Sequence, residues 1–149
     1  MRRLLLICFI IGLLLPPFCL ARDVAIITDK KNVAPEVSSK QLLKLLRTET
    51  RVWPSGQKVT VYLSNPSSAD GKLLLEKVYK ITLAEFQSLA VSQKNNIVIL
   101  GSDDLVLRAV AEHPGAIGVV NVYSINSAVT VVKVDGKLPL QQGYLLHGN

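Results

Sequence analysis

The sequence predicts an α/β fold, a small mixed or mainly parallel sheet with helices on its faces. Four short apolar runs rich in β-branched residues have the length of buried strands, and they lie at residues 24–28, 59–63, 116–120 and 129–134. Segments with one apolar face and a capping residue at their start alternate with these runs. The sequence shows no internal repeat and no low-complexity tract, so a single domain is expected.

The first half of the predicted domain begins with the strand at residues 24–28, and a polar loop through Pro35 follows it. Ser38 or Ser39 is expected to cap a helix that runs to about residue 47 and buries a face of leucines. Turn residues then follow Trp53, the only tryptophan, which we assign to the core or to packing between lobes.

The second half is expected to alternate in the same way. Thr82 and Glu85 have the spacing of a capping box, which predicts a helix start. Residues 97–100 fit either a strand or an apolar loop against the core. Ser102 is expected to cap the next helix, whose inner face we assign to Leu105, Val106, Ala109 and Val110. After the last strand, the tail beyond residue 140 is expected to be peripheral.

Residues 58–79 contain the candidate functional site, because they are typical of a strand, a turn and a helix in succession. A helix that opens just after a strand points unpaired N–H groups and its positive dipole end at the turn, where an oxyanion can bind. The candidate anion-binding residues are Ser67, Ser68, Asp70, Gly71 and Lys72. The alternative is that Ser67, Ser68 or Asp70 only caps the helix.

Residues 1–21 are expected to be a secretory signal peptide, which leaves one domain at residues 22–149. A basic start precedes an apolar run at residues 4–15 that is too short to span a bilayer, and Ala21 offers a cleavage position. Lipid attachment at Cys19 is the alternative, which Pro17 and Phe18 disfavour because a lipobox needs small residues there. The protein is therefore expected to be periplasmic or secreted.

The composition without the leader excludes several kinds of site. Removing 21 of 149 residues leaves 128, and Cys8 and Cys19 both lie in the part removed, so disulfides and zinc–thiolate sites are excluded. Removal of the leader also removes Arg2 and Arg3, so 15 of the 17 basic residues remain. With 11 acidic residues, the net charge is +4. This net charge is compatible with binding of a small anion or an acidic surface. The basic residues are dispersed along the sequence, which argues against nucleic-acid binding.

No pattern in the sequence predicts catalysis. His113 lies before Pro-Gly at a predicted helix end, where a cation suits the dipole, and His147 lies in the tail. There is no Gly-x-Ser-x-Gly motif, no phosphate-binding glycine loop and no metal-ligand spacing. We therefore expect a non-enzymatic protein with no cofactor and no metal.

Three stretches, at residues 38–47, 52–59 and 110–119, together resemble the phosphate-type substrate-binding proteins of ABC transporters, in the periplasmic-binding-protein-like superfamily. The Trp-x-x-Gly turn and the Pro-Gly-Ala-Ile-Gly segment are the most specific parts of this resemblance. It implies one lobe of a type II fold, since full binding proteins of the family close two such lobes on the anion. It also implies phosphate or a similar oxyanion as ligand, and a membrane transporter or sensor as partner.

The chain departs from the family pattern at the turn. The family has an arginine at the strand end and Ser-Gly-Thr at the helix start, and the matching residues here are Ser64 and then Ser68-Ala69-Asp70. Only Ser68 carries over, the arginine is missing, and Lys72 is a candidate replacement charge. At about 4 Å and an effective dielectric of about 20, the Asp70 carboxylate repels a bound anion by about 4 kcal/mol. One helix dipole stabilises the anion by only about 1 kcal/mol.

Two functional hypotheses therefore stay open. If Asp70 caps the helix and Lys72 turns inward, weak oxyanion binding for transport or sensing survives. If Asp70 points into the turn, tight phosphate binding is lost. The alternative is then a non-enzymatic envelope accessory protein that docks a membrane sensor or a partner subunit.

Overall fold

The computed structural model describes residues 22–32 and 36–148, so the predicted signal peptide lies outside the described residues. The strands are β1 (Val24–Asp29), β2 (Glu36–Val37), β3 (Val61–Leu63), β4 (Ile97–Ile99), β5 (Ile117–Asn121), β6 (Val129–Val131) and β7 (Lys133–Val134). The α-helices are α1 (Ser39–Leu46), α2 (Ala69–Leu74), α3 (Leu83–Ser92) and α4 (Asp103–Glu112). A π-helical turn, Leu75–Tyr79, continues α2, and a 3₁₀ turn, Val122–Ser124, follows β5.

Five strands form a mixed sheet in the order β4-β3-β5-β1-β6. Strand β3 is parallel to β4 and β5, whereas β1 is antiparallel to β5 and β6. The predicted mixed α/β sheet with flanking helices is confirmed. The run at residues 129–134 is divided, because the chain leaves β6 after Val131 and its last two residues, in β7, pair with β2 in a second, two-stranded sheet.

Apolar clusters cover both faces of the five-stranded sheet. All six residues of β1 are buried, and neighbouring Ile26 and Ile27 belong to different clusters, as alternating strand side chains require. The larger cluster includes residues of α1, α2 and α3, and the smaller one includes Val106 and Val110 of α4. A layer of helices therefore packs on each face.

The helix starts are confirmed and one helix face is corrected. Ser38 caps α1, Ser102 caps α4, and Thr82 and Glu85 form the capping box of α3. In α4, Leu105 is 44% exposed while Leu107 is 2% exposed, so the inner-face assignment of Leu105 is wrong. The buried stripe is rotated toward Leu107, because the sheet contacts the helix on that side.

The tail beyond residue 140 is not peripheral, so that prediction is also wrong. Tyr144 and Leu146 are buried in the larger cluster, and the Val24 N–H donates to the Leu146 carbonyl at 3.3 Å. His147 Nδ1 contacts the carboxylate of buried Asp23. The tail fills this position because β6 pairs only with the last three residues of β1 and leaves its start open.

Candidate ligand-binding site

The candidate site lies at the carboxyl edge of the parallel strands. Strands β3, β4 and β5 run in one direction, with Leu63 of β3 in register with Ile99 of β4 and Val119 of β5. The chain then enters α2 after β3, α4 after β4 and the 3₁₀ turn after β5. The starts of α2 and α4 therefore meet at one edge, which is the usual ligand side of α/β sheets.

The turn before α2 is closed by its own side chains. Asn65 Oδ1 accepts from the Ser67 N–H at 2.9 Å. The Ser68 hydroxyl donates to the Asn65 carbonyl at 2.7 Å and accepts from the Gly71 N–H at 3.0 Å, which makes Ser68 the helix cap. A Cβ on Gly71 would lie 2.5 Å from the Asn65 carbonyl oxygen, so only glycine fits that close approach.

Asp70 is turned toward β5. Its Oδ2 accepts from the Asn121 side-chain amide at 2.9 Å. The Asn121 N–H donates to Asp103 Oδ2 at 2.9 Å, and the Ser124 hydroxyl donates to the same oxygen at 2.8 Å. Asn121 therefore links the first turns of α2 and α4, and we call Asp70, Asn121, Asp103 and Ser124 the edge network. The other Asp70 oxygen, Oδ1, is buried and has no hydrogen-bond partner among residues 22–32 and 36–148.

A small cavity lies beside the edge network, between α2 and the sheet. Its volume of about 20 Å³ holds one water-sized group. Its polar lining residues are Ser64, Asp70 and Asn121, and the others are Val24, Leu63, Pro66, Gly71, Leu74, Leu75, Phe86, Val119 and Val120. Among the residues that the structure describes, the lining contains one charged residue, Asp70.

The predicted site residues do not all meet at this cavity. Asp70 and Gly71 line it, while Ser67 and Ser68 form the turn outside its lining. Lys72 lines two other depressions, one of them shared with Arg22 and Lys77. The structure therefore does not place Lys72 as a counter-charge beside Asp70.

Sequence reasoning missed Asn121. The available signal was a polar residue directly after the apolar run at residues 116–120. Its significance depends on strand order, because Asn121 and Asp70 are 51 positions apart and meet only when β5 lies beside β3. Patterns of residue types along the sequence do not show that β3 and β5 are adjacent strands.

The two motifs on which the resemblance rests meet elsewhere, at the opposite edge. Trp53 is buried, as expected, and its indole N–H donates to the Gly115 carbonyl at 2.8 Å. Gly115 has φ +80°, and its N–H donates to Asp29 Oδ2 at 2.7 Å. His113 ends α4, and its Nδ1 lies 2.7 Å from the Ala109 carbonyl oxygen. These contacts stabilise a turn and bring no pair of catalytic groups together.

No three histidine, cysteine or acidic side chains within residues 22–32 and 36–148 converge as metal ligands do. Among the helices of the same residues, none has the length and apolar character needed to cross a membrane.

The chain is similar to known proteins in three-dimensional structure but not in sequence. No protein-family model matches the chain, and no curated protein matches it in sequence. An ABC-type phosphate transport receptor from Vibrio cholerae aligns with a TM-score of 0.70 at 14% identity, over 86% of this chain and 54% of that one. PstS from Borrelia burgdorferi aligns with a TM-score of 0.70 at 16% identity, over 87% and 55%.

A phosphate-binding protein from Stenotrophomonas maltophilia aligns with a TM-score of 0.61 at 21% identity, over 80% of this chain and 40% of that one. The chain therefore spans about half the length of the receptors it matches. At these identities the comparisons establish the fold, which is the one that the sequence resemblance implies.

Proposed function

We propose that this chain is a non-enzymatic, exported binding protein of the solute-receptor type, whose ligand site lies at the carboxyl edge of the sheet, beside the edge network. The fold supports this proposal, because the solved structures that share it are described as phosphate transport receptors and phosphate-binding proteins. The observation on which the proposal depends is the position of the cavity at the carboxyl edge, with Asp70 among its lining residues.

A small oxyanion such as phosphate is the first ligand class to test, for a role in transport or sensing. The turn at residues 67–72 supports it, since the opening of a helix favours an anion. The Asp70 carboxylate opposes it, and a repulsion of about 4 kcal/mol weakens binding about a thousandfold. We therefore expect the unaltered chain to bind phosphate in the millimolar range or more weakly.

Calorimetric titration with phosphate, sulfate and acetate at pH 7 tests this proposal, with the Asp70→Asn variant beside the unaltered chain. Asparagine keeps an oxygen for the Asn121 amide and removes the charge, so phosphate affinity should rise at least about tenfold. The matched control is Asp104→Asn, an exposed acid in the first turn of α4 that does not line the cavity. Equal affinities in all three proteins would exclude Asp70 from the site.

The second candidate is an accessory protein that docks a membrane sensor or a transporter subunit through the same edge. Three exposed apolar residues favour it: Tyr123 at 83%, Leu105 at 44% and Ile99 at 38%. Ile99 ends β4, while the Ser124–Asp103 hydrogen bond joins the segments that contain Tyr123 and Leu105. Pull-down from envelope extracts with the unaltered chain and a Tyr123→Ser variant tests this candidate. A stoichiometric partner lost in the variant supports docking, and a clean monomer in both contradicts it.

A further inference from the structure

Charge is distributed unevenly between two regions of the molecule. The segments at the carboxyl edge, residues 63–71, 99–105 and 119–126, contain three acidic residues and no lysine, arginine or histidine. Residues 40–58, which run from α1 to the Trp53 turn near the opposite edge, contain five basic residues and one acidic residue. Their net charge of +4 equals that of the whole chain without the leader. The carboxyl edge is therefore acidic, and the region of α1 and Trp53 is basic.

Both regions also expose apolar side chains. At the carboxyl edge Ile99, Leu105 and Tyr123 are exposed, Tyr123 the most at 83%, and we call these three residues the carboxyl-edge patch. In the basic region a depression of about 300 Å³ lies between α1 and the Trp53 turn, and we call it the basic groove. Its lining residues are Gln41, Lys44, Leu45, Thr50, Val52, Trp53 and Pro54. Burying exposed apolar surface against a partner is favourable.

We propose that two copies of this chain associate head-to-tail, with the carboxyl-edge patch of one copy in the basic groove of the other. This inference goes beyond the proposed function, because the occupant is a second copy of the chain and neither a small ligand nor a membrane partner is required. Since the two surfaces differ, each pair leaves one patch and one groove free for further copies.

The groove presents positive charge that the chain itself does not neutralise. Lys44 lines the groove, and Lys58 lies opposite Val52 in an isolated antiparallel bridge. Both lysines are exposed, and neither forms an ion pair within the part of the chain that the structure describes. The acid of this region, Glu49, pairs with Arg47 at 3.9 Å. An acidic partner surface is therefore favoured at the groove.

The carboxyl-edge patch lies beside acids of the opposite sign. Asp103 and Asp104 directly precede Leu105 in the first turn of α4. The Ser124 hydroxyl, one residue after Tyr123, donates to Asp103 at 2.8 Å. Asp104 is exposed and has no ion pair among the described residues. Like charges disfavour contact between two carboxyl edges or between two grooves, whereas an edge and a groove attract each other.

The shape of the groove suits the most exposed residue of the patch. A depression of about 300 Å³ accommodates one phenol ring, and Leu45, Val52 and Pro54 give it apolar walls. Tyrosine is also one of the residue types that contribute most to binding energy at protein interfaces. Tyr123 is therefore expected to anchor the contact.

Sedimentation velocity of the unaltered chain tests the inference over concentrations on the order of 10 μM to 1 mM, which cover a Kd on the order of 100 μM. The average mass should rise beyond that of a dimer, because each pair retains a free patch and a free groove. Raising the ionic strength from about 0.05 M to about 0.5 M should weaken association at least about threefold, since salt screens exposed charges.

Two variants each disable one surface. Tyr123→Ser removes the anchor and Lys44→Glu reverses a charge in the groove, so each alone should weaken self-association at least about tenfold. Mixed in equal amounts, they should form a one-to-one pair that does not grow, because only one intact patch and one intact groove meet. The matched controls are Val91→Ser, an exposed position of α3, and Lys77→Glu, which lines a different depression. Both should associate like the unaltered chain.

The outcomes are distinct from those of the proposed function. An amide NMR spectrum with the dispersion of the unaltered chain shows that each variant is folded. A monomer at every concentration overturns the inference, as does a mixture of the two folded variants that stays monomeric. Association of Lys44→Glu equal to that of the unaltered chain, or association insensitive to salt, overturns it too. Phosphate binding by a monomeric chain leaves the proposed function standing, and self-association without phosphate binding leaves only this inference.

Discussion

Two aspartates at opposite edges of the sheet differ in how many of their carboxylate oxygens are hydrogen-bonded. Asp29, at the end of β1, is 3% exposed, and both of its oxygens are used: Oδ1 accepts from the Lys31 N–H at 2.9 Å and Oδ2 from the Gly115 N–H at 2.7 Å. Asp70 has one oxygen paired and the other buried without a partner among the described residues. The difference separates a fully hydrogen-bonded carboxylate from one that is half hydrogen-bonded within the described residues.

The surroundings of the two aspartates strengthen the contrast. The Asp29 carboxylate joins the end of β1 to the turn at Gly115, which also accepts the Trp53 indole N–H. Asp70 lines the small cavity at the carboxyl edge. A buried carboxylate with all its hydrogen bonds costs the fold less than one with an unpaired oxygen.

The largest expected effect concerns the turn that Asp29 supports. Gly115→Ala should lower the free energy of unfolding by about 3 kcal/mol or more, because alanine strains a φ of +80° and its Cβ would lie 2.3 Å from the Lys58 carbonyl oxygen. Gly56→Ala is the matched control, with φ +87° and open space around the added Cβ, and it should cost only about 1 kcal/mol. Urea unfolding of both variants measures the difference. Equal losses would show that the close approach to Lys58 has no effect.

The direct comparison of the two carboxylates comes next. Asp29→Ala leaves two backbone N–H groups without their acceptor and should cost about 2–3 kcal/mol. Asp70→Asn removes a partly buried charge that has no ion pair among the described residues and keeps an acceptor for Asn121, so its effect should stay within about 1 kcal/mol of zero. Chemical denaturation of both variants checks this. A loss for Asp70→Asn as large as that for Asp29→Ala would show that the two carboxylates stabilise the fold equally.

A milder change probes the same turn from the side of Trp53. Trp53→Phe keeps an aromatic ring in the core and removes the hydrogen bond to Gly115, so we expect a loss of about 1–2 kcal/mol. Thermal unfolding followed by far-UV circular dichroism measures it. Trp53→Leu, which also removes the ring, serves as the reference and should cost more.

The smallest effect concerns Asp135, an exposed aspartate directly after β7. Its carboxylate contacts Ser39, the first residue of α1. Hydrogen bonds from the Ser39 hydroxyl and the Ser39 N–H lower the pKa of its carboxyl group below the usual 3.8. Because the folded pKa is lower than the unfolded one, its stabilisation is present above the unfolded pKa and is lost as pH falls through the folded pKa. Asp135→Asn should therefore lower Tm slightly at pH 7 and less at pH 3. Identical Tm differences at both pH values would exclude this linkage.

Most of the local structure could be predicted from short stretches of sequence. Thr82 and Ser102 were predicted as helix caps, and Ser38 was one of two candidates with Ser39, because a cap is encoded by a residue type and its next three neighbours. Trp53 was assigned to the core or to packing between lobes, and it is buried. The π-helical turn after α2 has no comparable signal, since its residues continue the same apolar pattern.

The sequence by itself determined the fold class, the helix starts and the presence of an acid, Asp70, in the first turn of α2, because each depends on residue types within one segment. Only the tertiary structure decided which way Asp70 turns, since Asn121 reaches it through the order of strands β3 and β5. The burial of the tail against β1 and the exposure of Leu105 were decided in the same way. The physical reason is that hydrogen bonding and burial depend on neighbours distant in sequence, which folding selects and local patterns do not record.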